Sequence, residues 1–443
     1  MTTMTTTSIG PRIPPEVSEL SALDPDLHAA LTSGAIASAV DPFPLLARLR
    51  RDYPVLGQFG AVSVYRYDDV AAVLRHPQVS TDDRQSTLHE SLRTQDKLAP
   101  GYLSQLDDQS FLHRDPPDHT RLRKLVGKGF APSRIAALRE FITRFVDDVL
   151  DVAALHGRLE LVGELAYPLP IGVICELLGI PEQDRPFVAS WPRTQLCCSF
   201  EPGALKSAAE LDRADPTAPR RAEADRIQQQ LTDYFALLID RRRHDPGDDL
   251  ISALIAAEEH GEQLSTEEIN ATLRLLFVAG YENVVNLLGH GTLALLHHPE
   301  AWVSLRENPS LAGGVVDEAL RYDAPFQFTR RIALADLDIG GYHIPAGRHI
   351  IAWIAAANRD PAQFDDPDRF DIHRDPNRHL GFGVGIHACL GGPLARMQAE
   401  ITFVALTQRL NAPTLLADPP RYRTDVFRSL EELPVAFTPR TAA

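Results

Sequence analysis

His379-Leu380-Gly381-Phe382-Gly383-Val384-Gly385-Ile386-His387-Ala388-Cys389-Leu390-Gly391-Gly392-Pro393-Leu394-Ala395-Arg396 is the stretch from which the rest of the chain can be read. A single cysteine follows a loop with glycines at 381, 383 and 385. A helical pattern follows it, apolar at Leu394, Ala395, Met397, Ala399, Ile401 and Val404. Glycine allows positive φ and a close approach of backbone to a flat ligand. A sulfur at a helix N-terminus meets the positive end of the dipole and free N–H groups, which favours its thiolate. Three readings of Cys389 stay open on these grounds: a structural cysteine beside a turn, a nucleophile, or a ligand to a soft metal.

The residues around it add a resemblance. Phe382-Gly383-x-Gly385-x-His387-x-Cys389-x-Gly391 resembles the cysteine-ligand loop of the cytochrome P450 family, the haem-thiolate monooxygenases. The resemblance covers nearly the whole chain. It implies a mainly α fold with small β-sheets in one large domain, a long buried central helix over the haem, and the cysteine loop ahead of a C-terminal helix. It also implies haem b as cofactor, with Cys389 as the proximal iron ligand, Phe382 packed beside it, Gly383 and Gly391 shaping the loop, and His387 reaching a propionate.

Composition is compatible with this. At 443 residues, 44% hydrophobic and 23% charged, the chain is ordinary for a globular protein. A formal charge of −16 argues against non-specific nucleic-acid binding. The first 20 residues have no apolar core, so no signal peptide or membrane anchor is expected there. Cys175, Cys197, Cys198 and Cys389 make no disulfide framework, which suits a reducing cytoplasm. Residues 1–40 read as a loosely ordered leader and 41–443 as the domain.

Patterning predicts a helix from Asp41, a hairpin over 55–67, a short helix over 68–75, and helices over 133–155, 167–178, 181–200 and 221–243. The polar stretch 78–112 is long for a loop and hence a functional candidate; in the resembled family it caps the substrate pocket. The Pro-, Ala- and Asp-rich stretch 201–220 reads as a mobile connection, and by resemblance as part of a lid. His119 and Arg123 are four apart, on one helix face. They make either a solvated helix start or a clamp for a carboxylate, and the resembled family uses this pair on haem propionates.

Ser265-Thr266-Glu267-Glu268 is a capping-box signature, followed by helical character to about 298. About 33 residues at 1.5 Å each predict a helix near 50 Å long, apolar around most of its circumference and therefore buried. Within it, Ala279-Gly280-Tyr281-Glu282-Asn283 is anomalous, since glycine costs about 1 kcal/mol there and two polar side chains enter a buried segment. One account is a close helix crossing at Gly280 with Glu282 in a satisfied ion pair. By resemblance, the other is the family's oxygen-binding motif, with Ala279 and Gly280 leaving room for dioxygen and Glu282 relaying protons. Asn283 departs from the family there, standing where an alcohol-bearing threonine is usual. A carboxamide donates and accepts but does not pass a proton as a hydroxyl does.

Glu318-x-x-Arg321, on a surface, would be a pair worth roughly 0.5 kcal/mol. By resemblance it is a buried lock for folding and haem retention, with Arg369 as third member. Residues 331–347 alternate and turn like a hairpin, and by resemblance Arg331 binds a propionate, with Arg330 the competitor one register step away. Pro325, Phe326, Gln327, Phe328 and, near the C-terminus, Val435, Ala436 and Phe437 are expected on the substrate side.

The expected activity is monooxygenation of a bulky small-molecule natural product by hydroxylation, epoxidation or oxidative cyclisation. No dinucleotide or flavin domain is left over, so electrons are expected from a ferredoxin and its NAD(P)H-dependent reductase, with Arg121, Lys124 and Lys128 as a docking candidate. A peroxide-driven oxygenase or coupling enzyme, suggested by Asn283, and a non-catalytic haem sensor or scaffold are the rival readings.

Overall fold

A computed structural model describes residues 12–32, 41–58, 60–87, 109–189, 218–259, 262–418, 420, 422–424 and 428–439. The expected helices are present as Phe43–Asp52, Tyr67–Arg75, Pro132–His156, Pro168–Leu178 and Ala218–His244. Of the segment expected as a helix over 181–200, a turn at Glu182–Asp184 and a short helix Arg185–Ala189 are described. Its remainder, the 201–217 connection and residues 88–108 lie outside the described residues. The helical repeat of apolar side chains drives one continuous core, into which Pro132–His156 buries Ile135, Ile142, Val146 and Leu150.

Part of the expected leader is folded. Val17–Leu23 and Pro25–Thr32 are helices, and Leu20 and Leu27 are fully buried beside Leu46, Leu49 and Leu56. Burying two leucines contributes about 3–6 kcal/mol gross, and Arg48 adds an ion pair to Asp24 at 2.6 Å. A domain start at 41 is therefore too late. Leu161–Leu178 is long and apolar enough to cross a membrane by composition. Leu161, Val162, Leu165, Leu169 and Val173 all lie in the helical core.

The larger sheet has the order Val55–Gln58, Ala61–Val64, His349–Ala352, Thr329–Ala333, Val79–Ser80. His349–Ala352 pairs parallel with Ala61–Val64 and antiparallel with Thr329–Ala333, setting Ile350 opposite Arg331 and Ile351 opposite Arg330. Leu410–Leu415, Pro434–Pro439 and Arg158–Glu160 form a separate sheet. Val435 and Phe437 are buried in its packing with the helical core, so with Ala436 they sit away from the cavity described below.

The central helix is two helices, Thr266–Ala279 and Glu282–His297. The capping box forms as read, with Ser265 Oγ accepting the Glu268 N–H at 3.1 Å and Glu268 Oε2 accepting the Ser265 N–H at 2.9 Å. The break at 280–281 has a packing cause. A Cβ on Gly280 would lie 2.5 Å from the Leu276 carbonyl oxygen and 2.7 Å from Ile174 Cδ1, so Pro168–Leu178 crosses at contact distance. Tyr281 departs to φ −113, and its carbonyl takes N–H groups from both Val284 and Val285 at 3.0 and 2.9 Å. The Ala279 carbonyl accepts the Asn283 side-chain Nδ2 at 3.4 Å in place of a ladder bond.

Ala312–Tyr322 anchors the far side. Arg321 binds Glu318 as a fork, both bonds 2.8 Å, with neither side chain exposed. Arg321 also donates to the carbonyls of Asn358, Pro367 and Arg369 at 3.0, 2.7 and 2.9 Å. The third member is Arg374, whose Nε lies 3.4 Å from Glu318 Oε2. Arg369 contributes its backbone alone, which corrects the expected assignment. Asn377 and the Asp371 N–H complete the shell at 3.0 and 2.7 Å.

A buried cluster joins Glu282–His297 to the C-terminal hairpin. His290 Nδ1 lies 3.2 Å from the Asp323 carbonyl oxygen and 3.7 Å from its carboxylate, and Asp323 pairs with Arg428. Burial pushes the His290 pKa below its ordinary value, outweighing the attraction of Asp323. The folded chain thus resists a proton that the unfolded chain accepts below about pH 6.5, and stability falls as pH drops through that value. Urea midpoints at pH 7, 6 and 5 should decline less steeply in His290→Gln than in the parent. The difference is bounded by about 1.4 kcal/mol per pH unit, and identical slopes would remove His290 from the account.

Candidate active site

A cavity of about 370 Å³ lies between the 266–297 helix pair and the cysteine loop. Its distal wall is Leu276, Ala279, Gly280, Asn283, Val284 and Leu287, and its floor includes Phe382, Gly383, His387, Cys389 and Gly391. Pro325, Phe326 and Phe328 line one side as expected. Gln327 turns away, donating to the Ala324 carbonyl at 2.6 Å. Ser80, Thr81 and Asp83 come from the described start of the 78–112 stretch.

The loop places the sulfur through its backbone. Gly383 and Gly385 adopt φ 66 and 81, and a Cβ on Gly385 would meet the Leu74 carbonyl oxygen at 2.6 Å. The Cys389 N–H donates to the Phe382 carbonyl at 2.8 Å, and the N–H groups of Gly391 and Gly392 point at Sγ. Gly392 starts the helix Gly392–Arg409. Cys389 is exposed, but to the cavity. Burial pushes its thiol pKa up, against the pull of those N–H groups and of Arg123. The helix terminus alone therefore does not make the thiolate, as the sequence suggested it would. A cation bound at sulfur inverts this balance.

Four donor groups gather near one edge, and no carboxylate among the described residues pairs with any of them. His119 is 2% exposed, and neither ring nitrogen has a partner among the described residues. Its ring lies 4.3 Å from that of His387, centroid to centroid, and His387 Nδ1 is likewise unpartnered. Arg123 donates to the Ala388 carbonyl. Arg331 donates to Thr329 Oγ1 at 2.9 Å and the Arg330 carbonyl at 2.6 Å, and no carboxylate among the described residues pairs with it. Burial, with His119, Arg331 and Arg123 adding positive charge, drives the His387 pKa down to about 3. Burial holds Arg331 down to about 10. Arg330 lies 3.5 Å from the Asp83 carboxylate, whereas Arg331 has no such pair among the described residues. Unpaired buried donors are costly, and this set fits a flat ligand that brings two carboxylates to the edge and a soft-metal centre to Cys389.

Glu282 is not in the cavity wall. Its Oε1 accepts from Ser429 Oγ at 2.9 Å and its Oε2 from the Tyr167 hydroxyl at 3.4 Å. Glu282 thus bonds to the Ser429 and Tyr167 hydroxyls in a buried setting. Arg121, one of three candidates for partner docking, is engaged by Glu268. Thr81, 3.4 Å from His387 Nε2, was missed; nothing in a polar loop marks it. His379 and Asp317 were also missed, although His379 opens the quoted motif.

The comparisons with known proteins agree with this geometry. The family model "Cytochrome P450" matches residues 216–425. The chain is 37% identical to the polyketide biosynthesis cytochrome P450 PksS of Bacillus subtilis (strain 168), over 90% of this chain and 96% of that one. It is 37% identical to the cytochrome P450 monooxygenase PikC of Streptomyces venezuelae, over 98% and 97%. Among solved structures, Mycobacterium smegmatis CYP164A2 with econazole bound superposes with a TM-score of 0.81 at 38% identity, over 93% and 99%. The chain belongs to the cytochrome P450 family. It is a monooxygenase of the bacterial type that resembles tailoring enzymes, and the family implies haem.

Proposed function

We propose that this enzyme oxidises a bulky natural product of the polyketide kind in the cytoplasm, with electrons from a separate ferredoxin and its NAD(P)H-dependent reductase. The observation that carries the site assignment is the convergence of Arg123, Arg331 and His387 on a cavity whose floor is Cys389, with the His119 ring against that of His387 and no carboxylate among the described residues paired with any of the four. Cys389 would hold the iron and those four the propionates, with the Phe382 ring and Gly383 and Gly391 against the cofactor's proximal face. Bound haem supplies reductive activation of dioxygen, helped by an electron-rich thiolate. The substrate class rests on PksS and PikC and on an apolar distal wall.

The remaining residues orient and exclude. Leu276, Val284, Leu287 and Phe326 offer substrate an apolar surface that keeps bulk water away. Asn283 presents its Oδ1, which has no partner, while Nδ2 is tied to the Ala279 carbonyl. That oxygen is buried, so it would accept a hydrogen bond from water or a substrate hydroxyl once the side chain turns toward the cavity. Glu282, held on the far side of the same turn by Ser429 and Tyr167, is the carboxylate next in sequence to Asn283 that could store a proton.

The reduced protein under carbon monoxide should show the strongly red-shifted Soret band of thiolate ligation, and NAD(P)H consumption with ferredoxin and reductase should depend on substrate. A band at the position of histidine-ligated haem, or none, would overturn the assignment. Asn283 favours one rival, a peroxide-driven enzyme, which predicts equal turnover with hydrogen peroxide and no reductase. Asn283→Ala should lower product formed per NAD(P)H by about tenfold, or ~1.4 kcal/mol, with peroxide released instead. Asn283→Thr should keep or raise it. Unchanged yield in Asn283→Ala would show that the amide has no part in proton handling.

A further inference from the structure

We propose that His379 and Asp317 are a positioning pair that sets the cysteine loop so that Cys389 remains the iron ligand; this rests on the haem-thiolate reading above. Gly381 N–H donates to His379 Nδ1 at 3.0 Å. That nitrogen therefore offers a lone pair and the ring proton sits on Nε2. Nε2 lies 2.9 Å from Asp317 Oδ1 and donates to it. The same oxygen receives Arg396 from the helix that follows the cysteine. The Arg396 guanidinium lies 5.3 Å from the centroid of the Phe382 ring, and the Phe382 carbonyl accepts the Cys389 N–H at 2.8 Å.

A continuous path thus runs from one carboxylate to both ends of the loop. His379 is 4% exposed in its side chain, and Gly381 is seated so closely that a Cβ there would lie 3.0 Å from the Leu320 carbonyl. Burial alone would raise the Asp317 pKa; His379 and Arg396 outweigh it and hold the carboxyl below its ordinary value. Asp317 and Glu318 are neighbours on Ala312–Tyr322 with separate clients. Glu318 fixes the 369–377 segment, and Asp317 fixes the start of the cysteine loop and its helix. Groups that orient a metal ligand through its backbone act on ligation more than on fold.

The test uses the holoenzyme with His379→Ala, His379→Asn, Asp317→Ala and the double alanine variant. Asparagine at 379 accepts the Gly381 N–H two residues on, as in an Asx turn, but is too short for Asp317. Haem transfer to apomyoglobin should be about tenfold faster in both single alanine variants. A larger share of the reduced carbon monoxide complex should absorb at the position of sulfur-lost haem. His379→Asn should fall between the parent and His379→Ala, and the double variant should match Asp317→Ala, which already removes the carboxylate that both His379 and Arg396 use. Wild-type band shares and transfer rates in the single alanine variants would overturn the pair, as would effects that multiply in the double. A lowered urea midpoint with unchanged bands would also overturn it, by showing a purely structural role. If the parent itself lacks the thiolate band, the haem-thiolate reading fails instead.

Discussion

Cys389→Ala is expected to fold, to bind haem weakly if at all, and to lose monooxygenase activity by at least about a thousandfold, on the order of 4 kcal/mol in the barrier. The local cost is small, because Sγ accepts only the Gly391 and Gly392 N–H groups, and a net hydrogen bond is worth about 1 kcal/mol. Cys389→Ser keeps an acceptor for those N–H groups and should be as stable as the parent while losing the red-shifted band. The pair of variants separates ligation from folding. A parent-like carbon monoxide spectrum in either one would exclude Cys389 as the ligand.

Removing one partner of the Glu318–Arg321 pair should destabilise the chain by about 3–5 kcal/mol, the cost of leaving a buried charge unmatched. Glu318→Ala strands Arg321 and Arg374 together, and Arg321→Ala strands Glu318 and three backbone carbonyls. The neighbouring arginines provide the control. Arg374→Ala should cost less, its link to Glu318 being longer at 3.4 Å, and Arg369→Ala should be close to neutral, because only its carbonyl is used. Urea unfolding read by far-ultraviolet dichroism orders the four. An Arg369→Ala loss as large as that of Arg374→Ala would contradict the network.

Much of this was legible in the sequence where one local rule dominates. Ser265 and Glu268 form the box their spacing announces, and the apolar repeat of 133–155 becomes the helix Pro132–His156. What was not legible depended on tertiary neighbours. Nothing near Gly280 in sequence says that Ile174 will press on it, so one helix was expected where two exist. Glu318 sees arginines at both 369 and 374, and only the fold decides which side chain turns inward. The leader was misjudged because Leu20 and Leu27 are sparse, and their burial needs the Phe43–Asp52 helix to receive them. In the site, the motif around Cys389 put the sulfur and His387 together in the cavity lining, whereas the difference between Arg330, beside the Asp83 carboxylate, and Arg331 needs the fold to be seen.

The break at 280–281 has a consequence for how such an enzyme can change over generations. The Thr266–Ala279 half packs on Ala218–His244, and the Glu282–His297 half packs on Ala312–Tyr322 and Gly392–Arg409. Substitutions that remodel the first half alter the room offered to a guest, and those in the second touch the anchorage of Glu318 and the cysteine helix. Residues that share no partners combine additively. Variation in the part of the chamber that the first half lines, at Leu275, Leu276, Val278 and Ala279, therefore accumulates without drawing down the stability of the anchorage, whereas Asn283, Val284 and Leu287 line the same chamber from the anchored half.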